Sequence, residues 1–142
     1  MKHIFFLIIA LSIAGTSSAR SLHFTSANHG PLLVIDTTNS NFGAVPNRGY
    51  ATRTFMLKNA GDAPLHISHV QPTCGCTIAA LGDSIVAPGK ATDLKVRLSA
   101  AYRQPGNFYK TIAITSNSMS GETSWLKFYG HYVDIHATSA QK

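Results

Sequence analysis

The stretch TDLKVRL, Thr92–Leu98, decides the fold class. Its apolar side chains fall at Leu94, Val96 and Leu98, with the cations Lys95 and Arg97 between them. Successive side chains of a β-strand point to opposite faces, so this pattern buries one face and wets the other. The same period of two spreads outward along the chain. RTFMLKN (Arg53–Asn59) turns Phe55 and Leu57 inward, and APLHISHV (Ala63–Val70) does the same with Leu65 and Ile67. FYKTIAIT (Phe108–Thr115) sets Phe108, Ile112 and Ile114 against Tyr109, Thr111 and Ala113. SWLKFYGHYV (Ser124–Val133) opposes Leu126 and Phe128 to Trp125, Lys127 and Tyr129. PLLVID at 31–36 and a short piece at Asn41–Val45 complete the strand candidates. All of these read as half-buried strands.

Turn chemistry separates them. NAGDAP (59–64), APGK (87–90), RQPGN (103–107) and SNSMSGE (116–122) each place Gly, Pro, Asn or Ser where the chain must reverse. No capped stretch beyond the N-terminus has helical periodicity, and there is no internal repeat. Short strands at regular spacing predict an all-β, antiparallel β-sandwich of about seven strands over residues 31–134.

The first nineteen residues have a different character. MKHIFFLIIALSIAGTSSA begins with the basic Lys2, runs apolar from Ile4 to Ala14, and ends in small residues. Ser17 and Ala19 stand at the −3 and −1 places of a cleavage after Ala19, the pattern of a secretory signal peptide. The apolar run is shorter than the roughly 20 residues a spanning helix needs. Residues 20–30 and 135–142 are polar and read as a flexible N-terminal segment and a C-terminal tail. The expectation is a periplasmic or extracellular protein with no membrane span once the signal is removed.

Charge narrows the partners. The chain carries a net +6, which falls by one when Lys2 is removed. The cations are scattered, with no basic run and no aromatic-basic interleaving, so nucleic acid is not an expected partner. Catalytic motifs are missing too. There is no Gly-x-Ser-x-Gly elbow and no His-Glu-x-x-His, and PGKAT lacks the first glycine of a phosphate loop. The reading is of a protein that is not an enzyme, carries no cofactor and contacts an unidentified envelope or extracellular protein.

PTCGCT (Pro72–Thr77) holds the only two cysteines, Cys74 and Cys76. In an extended chain their Cα atoms would lie about 6.6 Å apart, near the upper limit for a disulfide. A bridge therefore requires a kink, which Gly75 permits. Closing so short a loop would contribute only about 1.6 kcal/mol by chain entropy. A labile redox couple is one alternative to a structural staple. Metal binding is another, because His66 and His69 extend the pair to His-x2-His-x4-Cys-x-Cys, a ligand set suited to copper or zinc. Against this, His66 and His69 have opposite parity in a straight strand and face one way only if a bulge near Ser68 re-aims one.

The order FMLKNAGDAPLHISHVQPTCGCT, IVAPGKATDLKV, GNFYKTIAITSN and LKFYG resembles a bacterial secreted module. That module is the Hydin-like immunoglobulin-type domain of unknown function with a Cys-Gly-Cys-Thr signature. The resemblance covers about residues 41–134 and implies an immunoglobulin-like sandwich outside the cytoplasm, with no established activity. Its matching positions include Asn59, Gly61, Pro64, Gly75, Thr77, Pro88 and Gly89. Several have physical roles of their own: Gly61 with Pro64, and Pro88 with Gly89, shape turns, and Asn59 bonds the backbone of its turn.

Overall fold

A computed structural model describes residues 29–101 and 103–134. The expected signal peptide (1–19), most of the N-terminal segment (20–28) and the tail (135–142) lie outside the described residues. Nine strands follow in order: β1 (Leu33–Ile35), β2 (Asn41–Pro46), β3 (Tyr50–Asn59), β4 (Leu65–Pro72), β5 (Thr77–Leu81), β6 (Ile85–Val86), β7 (Ala91–Ser99), β8 (Gly106–Ser116) and β9 (Thr123–Val133). There is no helix among the described residues, hence none long and apolar enough to cross a membrane.

The strands form two sheets. One has the order β1-β3-β7-β5, the other β2-β9-β8-β4-β6. Each sheet turns its alternate apolar side chains toward the other, which is how a half-apolar strand satisfies its pattern. Leu94, Val96 and Leu98 are fully buried on β7, facing Phe128, Leu126, Ile112 and Ile114 from the other sheet. The rings of Phe42 and Phe128 approach to 4.9 Å, and Phe55 reaches Phe128 from the opposite sheet at 6.3 Å. A fully buried Leu or Phe contributes roughly 1.5–3 kcal/mol, so this layer dominates the stability.

The seven segments expected from sequence all form strands, and β5 and β6 are additional. In β5 the large Ile78 points to solvent while Thr77, Ala79 and Leu81 turn inward, so its alternation carries little hydropathy contrast. β6 is two residues long, below what a periodicity can reveal. One pairing departs from the antiparallel expectation: β2 runs parallel to β9. The chain leaves the first sheet after β1 and joins the second beside its last strand, and no local pattern announces such a crossing.

Two of the turns have specific backbone contacts. Lys90 N–H donates to Ala87 O at 3.0 Å, and Gly89 has φ +73°, the left-handed value of a type II turn after Pro88. Gly61 allows a close approach: a Cβ there would lie 2.0 Å from Gly30 O and 2.6 Å from Leu32 N. At the described end of the N-terminal segment, Gly30 N–H donates to Asp62 Oδ1 at 2.5 Å and His29 Nδ1 lies 3.1 Å from Asp62 Oδ2.

Candidate functional site: the disulfide turn and the open edge of β5

Residues 73–76 carry the chain from one sheet to the other. At the start, Thr73 N–H and Oγ1–H both donate to Thr111 O on β8, at 3.2 and 3.0 Å. At the end, Ser99 N–H on β7 donates to Cys76 O at 2.8 Å. Between these clamps Thr77 N–H donates to Cys74 O at 3.2 Å, closing a tight turn. The turn brings the Cα atoms of Cys74 and Cys76 to 5.4 Å, and the two sulfurs are joined in a disulfide.

The kink does not draw on glycine. Gly75 is not among the glycines with positive φ, and nothing lies within 4 Å of where its Cβ would stand. Thr77 has the more specific place: its buried hydroxyl lies 3.4 Å from Cys74 Sγ and 3.9 Å from Cys76 Sγ. Both cysteines are partly buried, and Cys76 packs against the core.

The two histidines lie elsewhere. The β4–β8 register slips between Ile67 and His69, a bulge at Ser68 that turns both His66 and His69 to solvent. Their backbones are tied to other strands: His66 pairs with Ile85 and His69 with Thr115. Among the described residues no group of three or more His, Cys, Asp or Glu comes together. Metal binding at Cys74 and Cys76 would first require the bridge to be reduced, because thiolates are the ligands.

The scaffold positions converge instead on Asn59, which is fully buried. Its Nδ2 donates to Ala63 O at 2.8 Å and Val86 O at 2.9 Å. Its Oδ1 accepts from Gly61 N–H at 3.0 Å and Leu32 N–H at 3.2 Å. Beyond the single turn expected of it, this side chain holds three segments. Pro64 belongs to the same end, its carbonyl accepting from Asn117 Nδ2 at 3.3 Å.

Immediately after the disulfide turn, β5 forms an outer edge of its sheet, bonded only to β7. Cys76 O and Gly82 N–H are bonded to β7, at Ser99 N and Asp93 O. In an antiparallel ladder alternate residues bond inward, so the backbone groups of Ala79 and Leu81 face away from β7. Among the described residues no strand covers them. Ile78 stands beside them, 60% exposed. Sequence reasoning missed this edge because β5 itself was missed.

With this geometry, likeness to other proteins is informative. The family model described as "Protein of unknown function (DUF1573)" matches residues 33–131. The chain belongs to the DUF1573 family. No curated protein matches it in sequence. A protein of unknown function from Porphyromonas gingivalis W83 is similar in structure, with a TM-score of 0.62 at 14% identity. That likeness covers 78% of this chain and 51% of the other, so this DUF1573 chain spans about half of that protein's length. The ASH/PapD-like domain 7 of human CEP192 is similar over 95% of this chain and 97% of its own, at TM-score 0.50 and 10% identity. At such identities the likeness shows the fold alone, an immunoglobulin-like β-sandwich.

Proposed function

We propose that this DUF1573 protein is an exported, non-enzymatic immunoglobulin-like module of the cell envelope, periplasmic or extracellular, that works through protein contacts. The observation that carries the reading is the open edge of β5 directly beside the disulfide turn. An edge strand offers a row of unpaired N–H and C=O groups, and an extended segment of a partner can add to it as a further strand. Exposed Ile78 next to the ladder supplies apolar contact for the added strand. The disulfide turn fixes where the edge begins. The sequence resemblance to Hydin-like modules bearing Cys-Gly-Cys-Thr supports the same reading, as does the leader-like pattern of residues 1–19.

The test is a pull-down from an envelope extract with the mature protein and its Ala79→Pro variant. Proline at this outward-facing position removes an N–H from the open edge without touching a β7 bond. A partner retained by the parent and lost by the variant is expected. No retained partner, together with turnover of a small substrate, overturns the reading.

A thiol redox or copper-handling role is the second reading. It is favoured by the placement of both sulfurs in a partly exposed surface turn. It requires the reduced pair to form readily and to bind about one equivalent of metal or exchange with another thiol. Intact mass with and without reductant and alkylation, beside a metal assay, decides it.

A further inference from the structure

The outward face of the five-stranded sheet carries side chains that the core does not use. Across β8 and β9, Tyr109 stands opposite Tyr129 and Asn107 opposite His131. The two tyrosine rings are nearly parallel, 10° apart in plane, with centroids 6.4 Å apart. Both are open to solvent, at 65% and 47% exposure. Four residues along β9 from Tyr129, on the same face, Trp125 is 53% exposed. At strand rise that places the indole about 13 Å from the tyrosine pair.

A hollow of about 580 Å³ opens beside the tyrosines. Gly130 and Phe108 form part of its lining, and Asn41, Asn107 and His131 stand around it. Its shape is built in. The β2–β9 register shifts between Asn41 and Ala44, so two residues of β2, Phe42 and Gly43, pass one residue of β9, Gly130. Gly130 itself belongs to the inward face with Leu126, Phe128 and Tyr132, where a Cβ would lie 2.7 Å from Phe108 Cζ and 2.8 Å from Gly43 O, so glycine lets the Phe108 ring and β2 close up on the core side. Asn41 Oδ1 is used locally, accepting from Gly43 N–H at 2.8 Å. That leaves Asn41 Nδ2 and the amide of Asn107 to meet a ligand.

The chemistry of the face selects among ligands. A pyranose ring has an apolar C–H surface that covers an aromatic ring, and an equatorial belt of hydroxyls that both donate and accept. Amide and imidazole groups answer that belt, and flat aromatic rings answer the C–H surface. No strand of this sheet contains Asp or Glu. The outward positions of β8 and β9 hold one cation, Lys127, too few to track a phosphate backbone. They also hold no aliphatic side chain larger than Ala113, where a protein-docking face would need apolar anchors besides aromatics.

We propose that the outward face of β8 and β9 binds a chain of pyranose sugars, with Tyr109, Tyr129 and Trp125 as stacking surfaces and Asn41, Asn107 and His131 as hydrogen-bonding groups. The distance from the tyrosine pair to the indole calls for a chain rather than a single ring. This surface is separate from the β5 edge, which belongs to the other sheet.

Trp125 is the sole tryptophan of the chain and reports on the site directly. The experiment titrates the protein with cello-oligosaccharide, oligo-N-acetylglucosamine and oligogalacturonate, following indole emission and the backbone amide signals of β8 and β9. A saturable change with at least one sugar is expected, and the three arms separate neutral, acetamido and acidic rings. Tyr109→Ala and Tyr129→Ala should each weaken binding roughly tenfold with the thermal midpoint held, because both rings are exposed. The proposal is overturned if none of the three sugars perturbs either signal. It is equally overturned if both alanine variants bind like the parent, or if oligothymidylate binds the face and the sugars do not.

Discussion

Asn59 joins the two sheets through Val86: its Nδ2 donates from the end of β3 to the Val86 carbonyl of β6 at 2.9 Å. The same buried amide reaches Ala63 O, Gly61 N and Leu32 N, so all four of its hydrogen-bonding capacities are filled. Asn59→Ala would leave several backbone groups unpaired in a buried place. Each unpaired buried group costs about 1–3 kcal/mol, and partial access of water to the turn offsets some of that. We expect a net loss of roughly 3–5 kcal/mol, seen as a lower urea midpoint at unchanged slope. A loss under about 1 kcal/mol would remove Asn59 from its place as the sheet-to-sheet tie.

Two glycines of the sequence signature should respond oppositely to alanine. At Gly61 the new Cβ meets backbone, Gly30 O and Leu32 N, which no side-chain rotation relieves. Gly61→Ala should cost at least about 2 kcal/mol. At Gly75 there is open space and no left-handed φ, so alanine mainly restricts the unfolded chain. Gly75→Ala should be neutral or raise stability by about 0.4–1 kcal/mol. Parallel thermal melts of the two variants check both directions at once.

The contrast between these glycines marks what the sequence could convey. Alternation of Leu94, Val96 and Leu98 with charged neighbours is a local pattern, and it placed the strand and its buried face correctly. The Pro-Gly turn signal at Pro88–Gly89 is equally local, though its type shows only in the backbone angle of Gly89. What stayed illegible depends on residues far apart in sequence. Gly61 matters because of segment 30–32, β2 lies beside β9 across most of the chain, and Asn59 reaches Val86 over 27 residues. The cysteine pair was legible as a possible bridge. The open edge after it was not, because Thr77 and Ala79 inside and Ile78 outside give no amphipathic signal. Tyr109 and Tyr129 were visible as outward residues, but their pairing across two strands is a matter of register.

Acid should loosen the anchor of the N-terminal segment. The Asp62 carboxylate is held below the ordinary carboxylate range, chiefly by the hydrogen bond from Gly30 N–H, with the His29 ring as a lesser cause. Asp36 is lowered in the same direction by the hydroxyl and then the backbone N–H of Thr38. A carboxyl whose folded pKa is depressed binds protons more readily in the unfolded chain. Its contribution is therefore present above the unfolded pKa and is lost as pH falls through the folded value. Asp36→Asn/Asp62→Asn should flatten the acid limb of the midpoint-against-pH curve relative to the parent. Two-dimensional carboxyl NMR should show both groups titrating below a peptide aspartate; ordinary titration of both would refute the assignment.

The disulfide should contribute little to stability. Closing a three-residue loop removes little freedom from the unfolded chain, about 1.6 kcal/mol on the loop-entropy relation. The turn is also held independently, by Thr73 on Thr111 at one end and Ser99 on Cys76 at the other. Cys74→Ser/Cys76→Ser should therefore fold, keep the β4 and β5 amide signals, and lose no more than about 1.6 kcal/mol in urea. The parent, purified from an oxidising compartment, should be lighter by two hydrogens than its reduced form in intact mass. A loss well beyond that bound would mean that the bridge orders more than its own loop. The open β5 edge, which starts one residue after Cys76, would be the first place to look for lost protection against hydrogen exchange.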